Sequence, residues 1–144
     1  MFAAGFAMQR RFRAILPTTG RSMTKARKHI DAYLEGWRLG DANMSLGATT
    51  PEFFYDDPNT GRIPRKDFLQ FFEDFRSTVV DGRQAASGGP FLTYTDVVIS
   101  EASVPPKAWC WWQATGTDFQ GSALVYFGDD GVISEKIAYF SKLP

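Results

Sequence analysis

From Thr24 onward, apolar residues recur at Ala26, Ile30, Tyr33, Leu34 and Trp37, the three-and-four spacing of a single helix face. Thr24 suits an N-cap and Gly40 a C-terminal cap, so the pattern predicts a first helix between them. Asp41 can cap a short helical turn through Met44 to Leu46; Thr49-Thr50-Pro51 then breaks the pattern, and Phe53 to Tyr55 reads as a strand. Pro64 suits the first position of a second long helix, whose apolar stripe is Phe68, Phe71, Phe72, Phe75 and Val79. Residues 80–90, with Gly82, Gly88 and Gly89, read as a mobile loop. Beyond it the period changes to alternation, predicting strands at Phe91 to Ser100, Ala108 to Thr115, Ser122 to Phe127 and Val132 to Phe140. Val104-Pro105-Pro106 and Asp129-Asp130-Gly131 supply turns between them. Helices come first and an antiparallel meander follows, an order that predicts an α+β fold with helices packed on one face of a curved sheet.

A chain of 144 residues, 44% of them hydrophobic, fits one domain able to bury roughly two-thirds of its unfolded surface. Thirteen Phe and four Trp supply wide apolar surfaces for a core, a pocket wall or an interface, and counting does not separate these uses. The formal charge is zero and no basic stripe interleaves with aromatics, which sets nucleic-acid partners aside. Cys110 is the only cysteine, so neither an internal disulfide nor a site of several thiolates is possible, and a reducing, cytoplasmic setting is expected. His29 is also alone, which removes a clustered zinc site.

Residues 1–22 differ in kind from the rest. They carry Arg10, Arg11, Arg13 and Arg21 without an acid, whereas residues 23–144 hold twelve Lys/Arg against sixteen Asp/Glu. Two readings stand: a poorly ordered basic leader upstream of a start at Met23, or an organelle-targeting presequence. No apolar run approaches a membrane-spanning length, so no membrane partner is expected. The domain is accordingly assigned to residues 23–144.

The candidate chemistry lies in Tyr33, on the apolar stripe of the first helix, and Asp57, which closes the run Phe53-Phe54-Tyr55-Asp56-Asp57-Pro58. A buried tyrosine aims its hydroxyl at some partner, either a backbone carbonyl or a ligand. Asp57 either closes a turn with Asn59, accepting a backbone N–H, or serves as an ionisable group; Asp56 alternates to the opposite face and is expected in solvent. In the last strand Glu135 shares a face with Ile137 and Tyr139, and Lys136 with Ser134, Ala138 and Phe140. One of these charges can point inward, although strand edges or a dimer interface also tolerate them. Arg62 either guards a pocket mouth or hydrates it. Phe54, Phe72, Trp109, Trp111, Trp112, Phe127 and Phe140 are candidate walls of an apolar pocket.

Tyr33, Gly40-Asp41 and Asp57-Pro58, followed by the final run GVISEKIAYF, resemble the NTF2-like or SnoaL-like superfamily over residues 24–141. The closest catalytic pattern is ketosteroid isomerase, whose helix tyrosine, Gly-Asp and Asp-Pro fall at the same spacings. This resemblance implies a cone-shaped α+β barrel, homodimers, no cofactor and no metal. It makes Asp57 a general base that moves a proton beside a carbonyl, and Tyr33 the donor to the enolate oxygen. The strand position of the family's second oxyanion acid falls on Ala123, which cannot donate; an indole N–H of Trp109, Trp111 or Trp112 is the candidate substitute. The function implied is binding, and isomerising or otherwise enolising, a hydrophobic carbonyl compound of steroid or polyketide type. The alternatives are a non-catalytic ligand-binding or dimerisation module, and a polyketide cyclase or dehydratase relative. The last is weakened by the lack of a strand histidine.

Overall fold

The computed structural model describes residues 23–81 and 89–140. The basic leader, the glycines at 82 and 88 and the expected mobility of that loop lie outside the described residues.

Helix α1 (Lys25–Leu39) opens on Thr24, whose hydroxyl accepts the Arg27 N–H at 3.1 Å, and stops at Gly40 in the left-handed region at φ 77°. Its buried face contains all five apolar residues of the sequence pattern. Asp41 caps α2 (Ala42–Gly47) through the Met44 N–H. Strand β1 (Thr49–Asp57) begins earlier than expected, because Thr49-Thr50-Pro51 continues it. Four residues that carry no strand pattern form β2 (Gly61–Pro64), paired antiparallel with β1. Pro64 therefore ends a strand and caps a 3₁₀ turn at Arg65–Asp67, and the helix proper, α3 (Phe68–Asp81), starts a turn later.

Strands β3 (Leu92–Ser100), β4 (Lys107–Ala114), β5 (Gln120–Gly128) and β6 (Gly131–Tyr139) form the expected antiparallel meander. The sheet order is β2-β1-β6-β5-β4-β3, and β1 runs parallel to β6, with Tyr55 opposite Glu135. With β2 and β3 as free edges, the cone is an open one.

The core lies between the helices and the inner face of this sheet. Trp37 of α1 stacks on Phe72 of α3 with ring centroids 4.0 Å apart, and Phe68 meets Tyr33, Trp37, Phe53 and Tyr55. Each such ring, fully buried, contributes about 1.5–3 kcal/mol. Two close approaches dictate glycine. A Cβ at Gly36 would lie 2.2 Å from Ser45 Oγ, which bonds the Tyr33 carbonyl, and one at Gly121 would lie 2.1 Å from the Ala138 carbonyl oxygen.

Candidate functional site

Alternation along β1 and β6 fixes which side chains face inward. On β1, Phe53, Tyr55 and Asp57 are buried while Phe54 and Asp56 turn outward; on β6, Glu135 and Ile137 point in, followed by half-buried Tyr139. Two carboxylates thus enter the interior, each meeting a tyrosine from a distant part of the chain.

The first couple is Asp57 and Tyr139. Asp57 closes the turn after β1, its Oδ2 accepting the Asn59 N–H at 2.9 Å and the Thr60 N–H at 2.7 Å. The Tyr139 hydroxyl donates to Oδ1, and burial followed by this carboxylate pushes the phenol well above its ordinary range. Beside the couple lies a cleft of about 260 Å³, walled by Phe71, Asp74, Phe75 and Thr78 of α3 together with Thr60. A groove of about 390 Å³ adjoins it past Thr60 and Phe71, bordered by Arg62, Ile63, Pro64, Asp67 and Gln70. Arg62 pairs with Asp56 at 2.9 Å and covers the Phe54 ring at 3.9 Å, on the outer sheet face. Arg62 holds the Asp56 carboxyl below its ordinary value.

The second couple is Tyr33 and Glu135. The Tyr33 hydroxyl donates to Glu135 Oε2 in the middle of the protein. Burial raises the Glu135 carboxyl from 4.5 to about 7, against the lowering effect of the phenol. Burial and then Glu135 raise Tyr33 well above its ordinary range. The Trp37 indole N–H faces this oxygen closely enough to favour its charged form, yet makes no hydrogen bond.

Tyr33 and Asp57 therefore occupy separate couples, with no hydrogen bond between them. The couples are neighbours nonetheless, since the Tyr55 phenol, raised well above its ordinary range by burial and then by Glu135, lies within electrostatic reach of Tyr139, Tyr33 and Asp57 as well. Of the candidate walls, Phe72, Trp112 and Phe127 are interior. Phe54, Trp109 and Trp111 project from the opposite sheet face, and Phe140, 73% exposed, packs on Trp111. These four do not wall the interior, because strand alternation carries them outward. The Trp111 N–H is taken by Gln120, which leaves Trp112 as the inward-facing indole of the three. Ala123 is buried between Cys110 and Ile137 and supplies no donor. Glu135, Tyr55 and Tyr139 are the polar groups at the two couples that sequence reasoning did not assign to a site. A carboxylate sharing a strand face with Ile137 and Tyr139 was the available signal for the first.

Among the described residues no group of three or more His, Cys, Asp or Glu stands where it could hold a metal, and no helix is long and apolar enough to cross a membrane.

No family model matches the sequence, and no curated protein matches it. Solved structures do. An NTF2-like protein from Anabaena variabilis superposes with a TM-score of 0.58 at 13% identity, over 81% of this chain and 87% of its own. A SnoaL-like protein of unknown function from Burkholderia thailandensis gives 0.57 at 14%, over 84% and 99%. A candidate polyketide cyclase from Pseudomonas putida gives 0.56 at 15%, over 82% and 92%. With the helix-on-sheet order described above, these superpositions show that the chain has the fold of these NTF2-like and SnoaL-like proteins.

Proposed function

We propose that the protein binds a small hydrophobic molecule carrying a carbonyl or hydroxyl group. The observation that carries this reading is a part-buried Asp57–Tyr139 couple beside a cleft of about 260 Å³ that Phe71 and Phe75 share with Thr60, Asp74 and Thr78. The ligand's apolar part lies against Phe71 and Phe75 and its oxygen reaches the couple.

The catalytic form of the proposal is a proton-transfer isomerase. Asp57 removes a proton from the carbon beside a carbonyl, the electron pair moves onto oxygen, and the same proton returns to the vinylogous carbon. Tyr33 donates to the enolate oxygen, which requires its hydroxyl to leave Glu135. The nearness of both couples to Tyr55 supports it. Asp57→Asn and Tyr33→Phe are then expected to lower turnover of a β,γ-unsaturated ketone by about 10²-fold or more. Unchanged rates reject the enzyme. Binding alone is read by calorimetry with the same ketone. Affinity kept in both variants but lost about tenfold in Phe75→Trp, which fills the cleft, supports a binding module; affinity kept in Phe75→Trp removes the ligand from the cleft.

A second reading, a homodimerising module, is favoured by the outer sheet face. There Trp109 is exposed beside half-buried Trp111, with Val98 at 61% and Phe140 at 73% exposed. A polyketide cyclase or dehydratase role is the third reading, supported by the likeness to the Pseudomonas putida protein. A cytoplasmic setting accords with the free, buried thiol of Cys110.

A further inference from the structure

The two hollows beside α3 share a wall. The cleft of about 260 Å³ at Asp57 and Tyr139 and the groove of about 390 Å³ at Arg62 and Pro64 both border on Thr60, Phe71 and Asp74, so they form one trough. One of its sides is a single edge of α3 and the turn before it. Asp67, Phe71, Asp74 and Thr78 follow at spacings of four, three and four, which bring residues onto one helix face, and set carboxylate, ring and carboxylate in a row.

The charge of this trough is one-sided. Asp57, Asp67 and Asp74 border it, and the cation that borders it, Arg62, gives its hydrogen bonds to both Asp56 oxygens at 2.9 and 3.1 Å. Asp57 is only 5% exposed, a depth at which a charge is ordinarily paired. The Asn59 and Thr60 N–H groups and the Tyr139 hydroxyl satisfy its oxygens but are neutral, and among the described residues no Lys or Arg pairs with it. Asp74 is oriented by Gln70, whose Nε2 donates to Oδ1 at 2.8 Å and leaves Oδ2 free; Asp67 pairs with no cation among the described residues. An apolar floor with a buried, uncompensated carboxylate at one end and two free ones along the rim calls for positive charge from outside the chain.

We infer that the ligand of this trough is a cationic amphipath, an apolar alcohol or ketone bearing a protonated amine, with the ammonium seated at Asp74 where the two hollows meet. The inference rests on small-molecule binding at the cleft as proposed above and names what that molecule carries besides its oxygen. The oxygen reaches the Asp57–Tyr139 couple, while the ammonium donates to Asp74 Oδ2 beside the Phe71 ring, whose face attracts a cation. Asp57 on one side and Asp67 on the other add a field that low-dielectric walls concentrate. A ligand ending in a carboxylate or phosphate is repelled at the same place.

The test uses three 6-substituted 2-naphthols whose two-carbon tails end in an ammonium, a hydroxyl or a carboxylate, titrated by calorimetry at neutral pH in about 0.02 M and about 0.3 M salt. The wild-type chain is expected to bind the amine about tenfold more tightly than the alcohol and the acid about tenfold more weakly, with the spread shrinking several-fold at the higher salt. Asp74→Asn brings the amine-to-alcohol ratio close to one. Glu73→Gln makes the same change of net charge one residue away, at a side chain that pairs with Arg76 and does not line the trough, and keeps the ratio. A wild-type ratio near one, a ratio unaltered in Asp74→Asn, or an equal fall in Glu73→Gln overturns the inference. Alcohol binding that is lost in Phe75→Trp while the amine has no advantage leaves the cleft reading standing and removes the cationic ligand. Failure of all three probes to bind at millimolar concentration overturns both.

Discussion

Replacing Glu135 by glutamine removes a charge from a place where burial opposes it, and the cost of that charge can be worked from its titration. The carboxyl moves from 4.5 to about 7 on folding. A gap of roughly 2.5 units, at about 1.36 kcal/mol each, corresponds to about 3 kcal/mol. Because the folded value is the higher one, the folded state binds the proton more tightly. The stabilising contribution is fully present below about pH 4.5, declines as pH rises, and is lost above about pH 7. Glutamine stays neutral throughout and still offers a carbonyl oxygen to the Tyr33 hydroxyl. Whatever its amide costs is constant with pH, and all other titrating groups are common to both proteins. Urea unfolding at half-unit intervals from about pH 4.5 to 8.5 is the assay. The variant is expected to gain about 3 kcal/mol on the wild type across the range, with most of the gain complete by about pH 7.5. A difference that varies by less than about 1 kcal/mol would refute the claim that Glu135 ionises inside an uncompensated core.

Two further outcomes follow from packing. Gly121→Ala drives a Cβ to 2.1 Å from a β6 carbonyl oxygen and 2.8 Å from the Trp112 ring, and should cost about 2–3 kcal/mol in urea unfolding, whereas Gly128→Ala, with nothing within 4 Å, should cost well under 1 kcal/mol. Equal costs would show that the β5–β6 contact is looser than described. If the outer sheet face pairs two copies, Trp109→Glu and Phe140→Glu should each convert a dimer into a monomer in light scattering, with the melting temperature of the monomeric unit within a few degrees; a wild-type monomer removes that reading.

What could be read along the chain was whatever short-range patterning encodes. The α1 stripe, its Thr24 and Gly40 caps, the Asp41 cap and the four meander strands all follow from spacing or from one residue's backbone preference. Strand β2 was not legible, being four residues long and ending in proline, and exists because β1 lies beside it. The alternation of β6 placed Glu135 with Ile137 and Tyr139, but which face was interior depends on the helices above it. Tyr33 and Asp57, singled out as candidate site residues, both lie in the interior; their partners were not legible, because they sit 102 and 82 residues away. The turn-closing role of Asp57 with Asn59 was visible, since it is local. Strand alternation also decided the aromatic walls, admitting Trp112 and excluding Trp109 and Trp111 once the face was known.

The parallel contact between β1 and β6 has a temporal implication. During synthesis the N-terminal hairpin emerges long before the only strand that can join it to the rest of the sheet. Until β6 has emerged, that hairpin waits with an unsatisfied edge, Asp57 lacks Tyr139 and Tyr33 lacks Glu135. Termination before residue 131 would thus deprive the newborn chain of its β1 docking and of both couples together.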